Sequence, residues 1–324
     1  MRAAVCRSYG PPDVVRTEDI PSPRLEPGQV RVAVAAASVN YPDVLLVANR
    51  YQISVPTPFV PGSEFAGRVV ELGDGVEGFR VGDRVFGTAM VGAFAEETVV
   101  PQASLSPVPD GVDDGSAAAF GVAHRTAYHV LRSVARLGAG QDLVVLGAGG
   151  GVGLAAVQLG AAMGGRVTAV ASSREKLEVA RSLGAQHLVD RRAGDLRRAL
   201  KEVLPDGADV VVDPVGGELS EPSLRAMRWG GRFVTVGYAS GAIPRIPLNL
   251  VLLKGVQLLG FEFRGFALHA AEEMRRGDVE LMELLVTGRV RPHIGARFPL
   301  VEAAAALRHV AEGRAIGKVL VLAG

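Results

Sequence analysis

A strand-like Val144-Val145-Leu146 runs into Gly147-Ala148-Gly149-Gly150-Gly151-Val152-Gly153, and Leu154–Leu159 continues as a helix. Glycines let a backbone turn sharply and come close to a ligand. The helix that follows offers unpaired N–H groups and the positive end of its dipole. The chemistry open to such a segment is to hold a pyrophosphate. The turn is not a clean GxGxxG: Gly147, Gly150 and Gly153 form a GxxGxxG, which a tight strand-to-helix turn can also produce. No Gly-Lys-Ser/Thr follows, which disfavours a mononucleotide P-loop. An S-adenosylmethionine site stays open, although the strand ends in Leu146 and not in an acid. Dinucleotide binding outweighs these readings, and Gly149, Gly150, Gly151, Val152 and Gly153 are the expected contacts.

A second group of residues bears on which dinucleotide. After the strand Val167–Ala171 the chain reads Ser172-Ser173-Arg174-Glu175-Lys176. NAD enzymes usually place an acid here to hold the ribose hydroxyls, and it would repel a 2′-phosphate. Two hydroxyls and a guanidinium stand in its place. NADPH is therefore the expected cofactor, with Ser172, Ser173, Arg174 and Lys176 around its phosphate and Arg191 near the adenine or the phosphate. Glu175 counts against this, and Arg174 and Lys176 also fit the solvated start of a helix.

The whole chain narrows the field. With 324 residues, 48% apolar, 41 glycines and 19 prolines, it suits about two globular α/β domains. A formal net charge of +1 provides no basic field for nucleic acid or an acidic membrane surface. Arg2 and Arg7 bracket too short an uncharged run for a secretory signal, and Asn249, Lys254 and Gln257 interrupt the apolar Leu248–Leu259. A cytoplasmic protein is expected. Cys6 is the only cysteine and the six histidines are scattered, so no metal site is expected.

From 142 to 261 strand and helix patterns alternate. Strands are expected at Leu143–Leu146, Val167–Ala171, His187–Asp190, Asp209–Asp213, Arg232–Gly237 and Val256–Phe261. Helices are expected at Val152–Met163, Arg174–Leu183, Asp195–Val203 and Leu219–Met227. Short β-branched strands separated by helices imply a buried parallel sheet with right-handed crossovers. Before this region, Val30–Val34, Phe65–Leu72 and Ala93–Val100, punctuated by Gly-Asp pairs, suggest an irregular antiparallel barrel. The tail reads as helices Ala267–Thr287 and Leu300–Glu312 and a strand Lys318–Leu322.

The ordered motifs resemble those of the zinc-free medium-chain dehydrogenase/reductases, specifically the quinone oxidoreductase (zeta-crystallin-like) group. They are Ala37-Ser38-Val39-Asn40-Tyr41-Pro42-Asp43, Tyr51, Pro61-Gly62-Ser63-Glu64-Phe65-Ala66-Gly67, Gly82-Asp83-Arg84-Val85, Arg125-Thr126-Ala127-Tyr128, the glycine turn, Asp213-Pro214-Val215-Gly216-Gly217 and Gly317-Lys318-Val319. The resemblance implies an α/β fold: a GroES-like β-barrel catalytic domain and a Rossmann doubly wound nucleotide-binding domain. Residues 1–118 and 261–324 would form the discontinuous catalytic domain, and 119–260 the NADP-binding domain. Ser63 stands where zinc-dependent relatives carry a histidine, and the cysteines of their structural lobe are missing.

The same resemblance implies roles. Tyr51, eleven residues after Asn40, matches an active-site tyrosine that can donate a hydrogen bond to the acceptor oxygen. Its bland reading is a cover for the barrel edge. Asn40 matches a residue near the nicotinamide ribose or substrate, against the reading of a turn-forming Asn. Thr126 and Tyr128 would lie near the nicotinamide, with helix packing as the alternative for Tyr128. Gly237 and Phe261 would border the nicotinamide, although a core role suits Phe261 better. Lys318 would approach the cofactor phosphates or simply be solvated.

The expected function is NADPH-dependent hydride transfer, without metal, to quinones or other α,β-unsaturated carbonyls. A 2-enoyl thioester (enoyl-CoA) reductase and a non-catalytic, crystallin-like NADPH-binding protein are the alternatives. The expected partners are a small-molecule substrate and a second copy of the chain: Val256–Phe261 would be an apolar sheet edge, pairing about a two-fold axis in a homodimer.

Overall fold

The computed structural model describes residues 1–323, which form two compact units. Met1–Val122 and Arg291–Gly324 make the first, and Ala123–Val290 the second. The chain opens with an antiparallel hairpin, β1 (Arg2–Cys6) and β2 (Val15–Asp19). Then follow β3 (Gln29–Val39), β4 (Glu64–Leu72), β5 (Arg84–Thr88), β6 (Glu97–Pro101) and β7 (Leu105–Pro107). Helix α1 (Tyr41–Val47) lies between β3 and β4, and α2 (Asp114–Ala118) follows β7. Helix α3 (Gly121–His129) carries the chain past the first unit's boundary.

In the second unit strands and helices alternate. The strands are β8 (Asp142–Leu146), β9 (Arg166–Ala171), β10 (His187–Asp190), β11 (Ala208–Asp213), β12 (Met227–Thr235) and β13 (Gln257–Gly260). The helices between them are α4 (Gly151–Ala162), α5 (Arg174–Ser182), α6 (Leu196–Val203), α7 (Ser220–Ala226) and α8 (Leu248–Lys254). All six strands run parallel in the order β10-β9-β8-β11-β12-β13. The chain winds outward from β8 in one direction, then returns and winds outward in the other. This doubly wound order opens a crevice beyond the carboxyl ends of β8 and β11. Each residue of those two strands is buried, as a sheet covered on both faces requires.

Helices α9 (Phe263–His269) and α10 (Ala271–Val286) complete the second unit. The chain then returns to the first unit with β14 (Ile294–Pro299), α11 (Ala303–Ala311) and β15 (Lys318–Leu322). There β3 is the hub: its first half pairs with β6, its last four residues with β15, and most of its length with β4. Register shifts at Arg31/Val32 and Val34/Ala36 mark bulges between β3 and β4, which curl a sheet. Val30, Val32 and Val34 alternate inward into the core of this unit.

Two expectations are corrected and one strand is added. The tail helix expected over 267–287 breaks at Ala270, whose backbone leaves the helical region (φ −131°, ψ 41°). Its first part begins early, at Phe263, because the Glu262 carboxylate caps the N–H groups of Arg264 and Gly265. Strand β14 lay unrecognised in Ile294–Pro299, where only alternate side chains are shielded. The boundary expected at 260/261 falls at 290/291, because α10 turns inward toward α3: a Cβ on Gly277 would meet the rings of His129 and Tyr128 at 2.4–2.9 Å.

Candidate functional site

The glycine turn stands at the carboxyl end of β8. Gly147 takes a left-handed φ of +61°, and its carbonyl accepts from the N–H of Gly150 at 2.9 Å. A Cβ on Gly153 would lie 2.1 Å from that same carbonyl oxygen, so the first turn of α4 presses directly on the glycine turn. A Cβ on Gly149 would lie 2.5–2.7 Å from the methylenes of Lys176. Gly150 is the N-cap of α4 and brings no side chain to cap it. The opening N–H groups of Gly151, Val152 and Gly153 are thus left to an anion.

A cluster of cations flanks this turn. Ser173 caps α5, its hydroxyl accepting from the N–H of Lys176 at 3.4 Å. The half-buried Lys176 ammonium has its pKa lowered, first by burial and then by Arg191 and Arg192, against the opposing pull of Glu175. The N–H of Arg191 is bonded to the carbonyl of Ala171 at 2.9 Å, which ties it to the end of β9. Its guanidinium stays 3.9 Å from the exposed Glu218. Arg174 is exposed and Ser172 half-buried beside the same strand end. A cluster of cations whose neighbours disfavour the charged Lys176 suits an anion placed among them.

Gly237 lies past the end of β12, and a Cβ there would be 3.7 Å from the carbonyl of Pro214. Asp213, at the end of β11, is spent on structure: it accepts from the N–H groups of Val215 and Gly216 and from the Ser220 hydroxyl. Tyr128 and Phe261 are both tied into the second unit. The Tyr128 phenol donates to the Glu280 carboxylate, and burial followed by that carboxylate raises its pKa, so its hydroxyl is committed within the second unit. Phe261 is buried in an aromatic cluster, 6.5 Å from the ring of His129 and 5.3 Å from that of Phe266. Thr126 is buried on α3.

The first unit holds a buried polar centre that the sequence showed only in fragments. The Lys318 ammonium, at the start of β15, donates to Asn40 Oδ1 at 2.6 Å and to Glu64 Oε2 at 3.1 Å. Asn40 Nδ2 donates to Glu64 Oε2 at 3.2 Å, and the second Glu64 oxygen accepts from the N–H of Val122 at 2.8 Å. Asp43, in the first turn of α1, accepts from the N–H of Asn40 at 2.7 Å. Lys318 is therefore corrected: its side chain is 4% exposed and ion-paired, not free for a phosphate. Both ends of the Asn40 amide are engaged, which fixes its orientation. Tyr51 lies beyond α1, half-buried against the core of the same unit.

Asp43, Ser63 and Glu64 stand within the sequence motifs, but the sequence alone marks no role for them. Two acids inside otherwise uncharged motifs were the available signal. The pairing of Glu64 with Lys318, separated by 254 residues, had none.

Zinc does not fit this centre. Asn40 and Ser63 are weak ligands, the Lys318 ammonium already supplies the positive charge beside Glu64, and Cys6 donates elsewhere, to the Ser8 carbonyl. Among the described residues no group of three or more His, Cys, Asp or Glu side chains could hold a metal ion. No described helix is long and apolar enough to cross a membrane.

Comparison with known proteins agrees with this architecture. The alcohol dehydrogenase GroES-like domain model matches residues 26–110, and the zinc-binding dehydrogenase model matches residues 151–283. A quinone oxidoreductase-like protein 2 homolog of Nematostella vectensis is 34% identical over 99% of this chain and 88% of its own length. The human synaptic vesicle membrane protein VAT-1 homolog is 31% identical, covering 100% of this chain and 87% of its own. A mycobacterial protein solved in complex with NADPH superimposes with a TM-score of 0.92 at 28% identity, over 99% of both chains. The chain belongs to the medium-chain dehydrogenase/reductases, in the quinone oxidoreductase family.

Proposed function

We propose that this chain is an NADPH-dependent reductase that delivers hydride, without a metal, to quinones or other α,β-unsaturated carbonyl acceptors. The observation that carries the reading is the trio Lys176, Arg191 and Arg192 gathered beside the glycine turn, with no acid at the end of β9. The N–H groups that open α4 suit a pyrophosphate, and the trio, together with Ser172 and Arg174, suits a 2′-phosphate. The mycobacterial relative solved with NADPH supports this choice.

Bound there, NADPH would supply a hydride to the acceptor. The chain's own residues supply binding and orientation: the turn Gly149–Gly153 for the pyrophosphate, and Thr126 and Gly237 beside the nicotinamide. In the first unit, Tyr51 donates a hydrogen bond to the acceptor oxygen, and the immobilised Asn40 fixes the geometry around Ser63. A polar centre that cannot hold zinc offers no Lewis acid to lower an alcohol's pKa, so acceptors that are already electrophilic are favoured.

A homodimer belongs to the same reading. Strand β13 is the edge of its sheet with Leu258 42% exposed, and Trp229, Leu252 and Leu253 are 71–81% exposed. A second copy pairing along that edge would satisfy its backbone and cover apolar surface.

The test is the rate of NADPH oxidation with a panel of quinones, enones and enoyl-CoA esters. Reduction of quinones and simple enones is expected. Turnover confined to enoyl-CoA would shift the reading to the thioester reductases. Tight NADPH binding with no acceptor reduced would contradict it and favour a non-catalytic NADPH-binding protein.

A further inference from the structure

Tyr51 sits in a loop without regular structure of its own. Helix α1 ends at Val47, and the next pairing along the chain is the bridge between Phe59 and Cys6. Among the described residues, none from 52 to 58 makes a backbone-to-backbone hydrogen bond. Tyr51 and Val55 rest half-buried against the first unit's core, whereas Gln52, Ser54 and Pro56 are exposed. A side chain on such a segment keeps one position only if the loop is braced from outside.

The brace is the stretch that follows β1. Its two ends are pinned to the two ends of the loop. Cys6 exchanges backbone hydrogen bonds with Phe59 at 2.8 and 3.1 Å, and the N–H of Gly10 donates to the Val47 carbonyl at 3.0 Å. Between these pins the Tyr9 hydroxyl donates to the Val55 carbonyl at 2.7 Å and lies 3.2 Å from Ser54 Oγ. Ser54 in turn donates to Asn49 Oδ1 at 2.7 Å. Asn49 takes a left-handed φ of +50°, which asparagine tolerates better than most residues, and turns the chain out of α1. A hydrogen-bonded series through Val55, Tyr9, Ser54 and Asn49 thus closes the loop on both sides of Tyr51.

We propose that Tyr9 is a positioning residue for the reaction: its hydroxyl latches residues 49–55 and so holds the Tyr51 phenol where it donates to the acceptor oxygen. The proposal rests on the reductase reading and on the role given there to Tyr51. Tyr9 acts through the loop and touches neither cofactor nor acceptor. The phenol is needed in place as negative charge builds on the acceptor oxygen, and a donor that wanders is in place for only part of the time. Loss of the latch therefore lowers kcat for an acceptor that depends on the donor, and leaves NADPH binding in the second unit as it was.

The test is Tyr9→Phe, which keeps the ring and removes both contacts of the hydroxyl. Trypsin reads the loop directly, because the exposed Arg50 precedes Tyr51. Cleavage of that bond should quicken about 3- to 10-fold, as expected for loss of one ordinary hydrogen bond, and by less in Ser54→Ala. Enone kcat should fall by about the same factor, with NADPH affinity unchanged and a good quinone slowed much less. The double variant Tyr9→Phe/Tyr51→Phe should be no slower than Tyr51→Phe alone, a non-additivity that a general loss of stability does not produce.

Unmoved cleavage in Tyr9→Phe would overturn the proposal, as would an unmoved enone rate while Tyr51→Phe is slow. Equal slowing by Tyr9→Phe with and without the Tyr51 hydroxyl would overturn it too. Undiminished enone reduction in Tyr51→Phe would leave nothing to position and end the proposal with that role. Should Tyr9→Phe not fold, the same comparisons with Ser54→Ala decide. A protein that reduces no acceptor sinks the reductase reading instead, and the cleavage rates alone then uphold or overturn the latch.

Discussion

Lys176 does two things that can be separated. Its methylenes fill the space a Cβ would take at Gly149, and its ammonium belongs to the group with Arg191 and Arg192. Lys176→Met keeps the packing and removes the charge. A charge-assisted hydrogen bond is worth roughly 1.5–3 kcal/mol, so NADPH should bind about tenfold more weakly, or worse, with NADH little affected. Fluorescence titration of both cofactors checks this; an equal loss for both would point to a distorted turn instead. Tyr51→Phe addresses the other unit. Quinones are strong electrophiles whose reduced oxygens protonate readily, whereas enones depend more on a donor. The variant should therefore reduce enones about 10²-fold more slowly and a good quinone much less. Unchanged rates with both, while NADPH still binds, would make the phenol part of the wall.

At the scale of elements, the site depends on how closely α4 follows β8. Gly153→Ala places a methyl carbon where the Gly147 carbonyl oxygen already sits, 2.1 Å away, and the contact is with backbone, which cannot swing aside. We expect stability to fall by about 1–3 kcal/mol in urea titration and NADPH affinity to fall with it. Wild-type affinity in the variant would show that the turn tolerates the shift. These elements were legible because valine-rich strands such as Val144–Leu146 and Val210–Val212 are buried on both faces, and glycines mark where the backbone turns. Strand β14 was not, since the exposed positions of Ile294–Pro299 are Gly295, Arg297 and Pro299, which give no strand alternation, and it is recognised only by its pairing with β15. Nor was the break at Ala270, where an ordinary helix-forming residue leaves the helical region. The polar centre was half legible: Asn40, Asp43 and Glu64 stand in recognisable motifs, but only the fold brings Lys318 to them.

For the molecule as a whole, the unpaired edge of β13 and the exposed Trp229, Leu252 and Leu253 predict a dimer. Light scattering at micromolar concentration should give twice the chain mass of 33.8 kDa, and a monomeric mass would count against the paired edge. The central claim, NADPH-dependent hydride delivery, joins the cofactor site to a reaction. It is tested most directly by kcat/KM for reduction of one simple quinone, measured side by side with NADPH and with NADH. The account predicts turnover with both partners present and at least about a tenfold preference for NADPH, in line with one charge-assisted contact to the 2′-phosphate. Equal efficiency with the two cofactors, or no turnover with either, would contradict it.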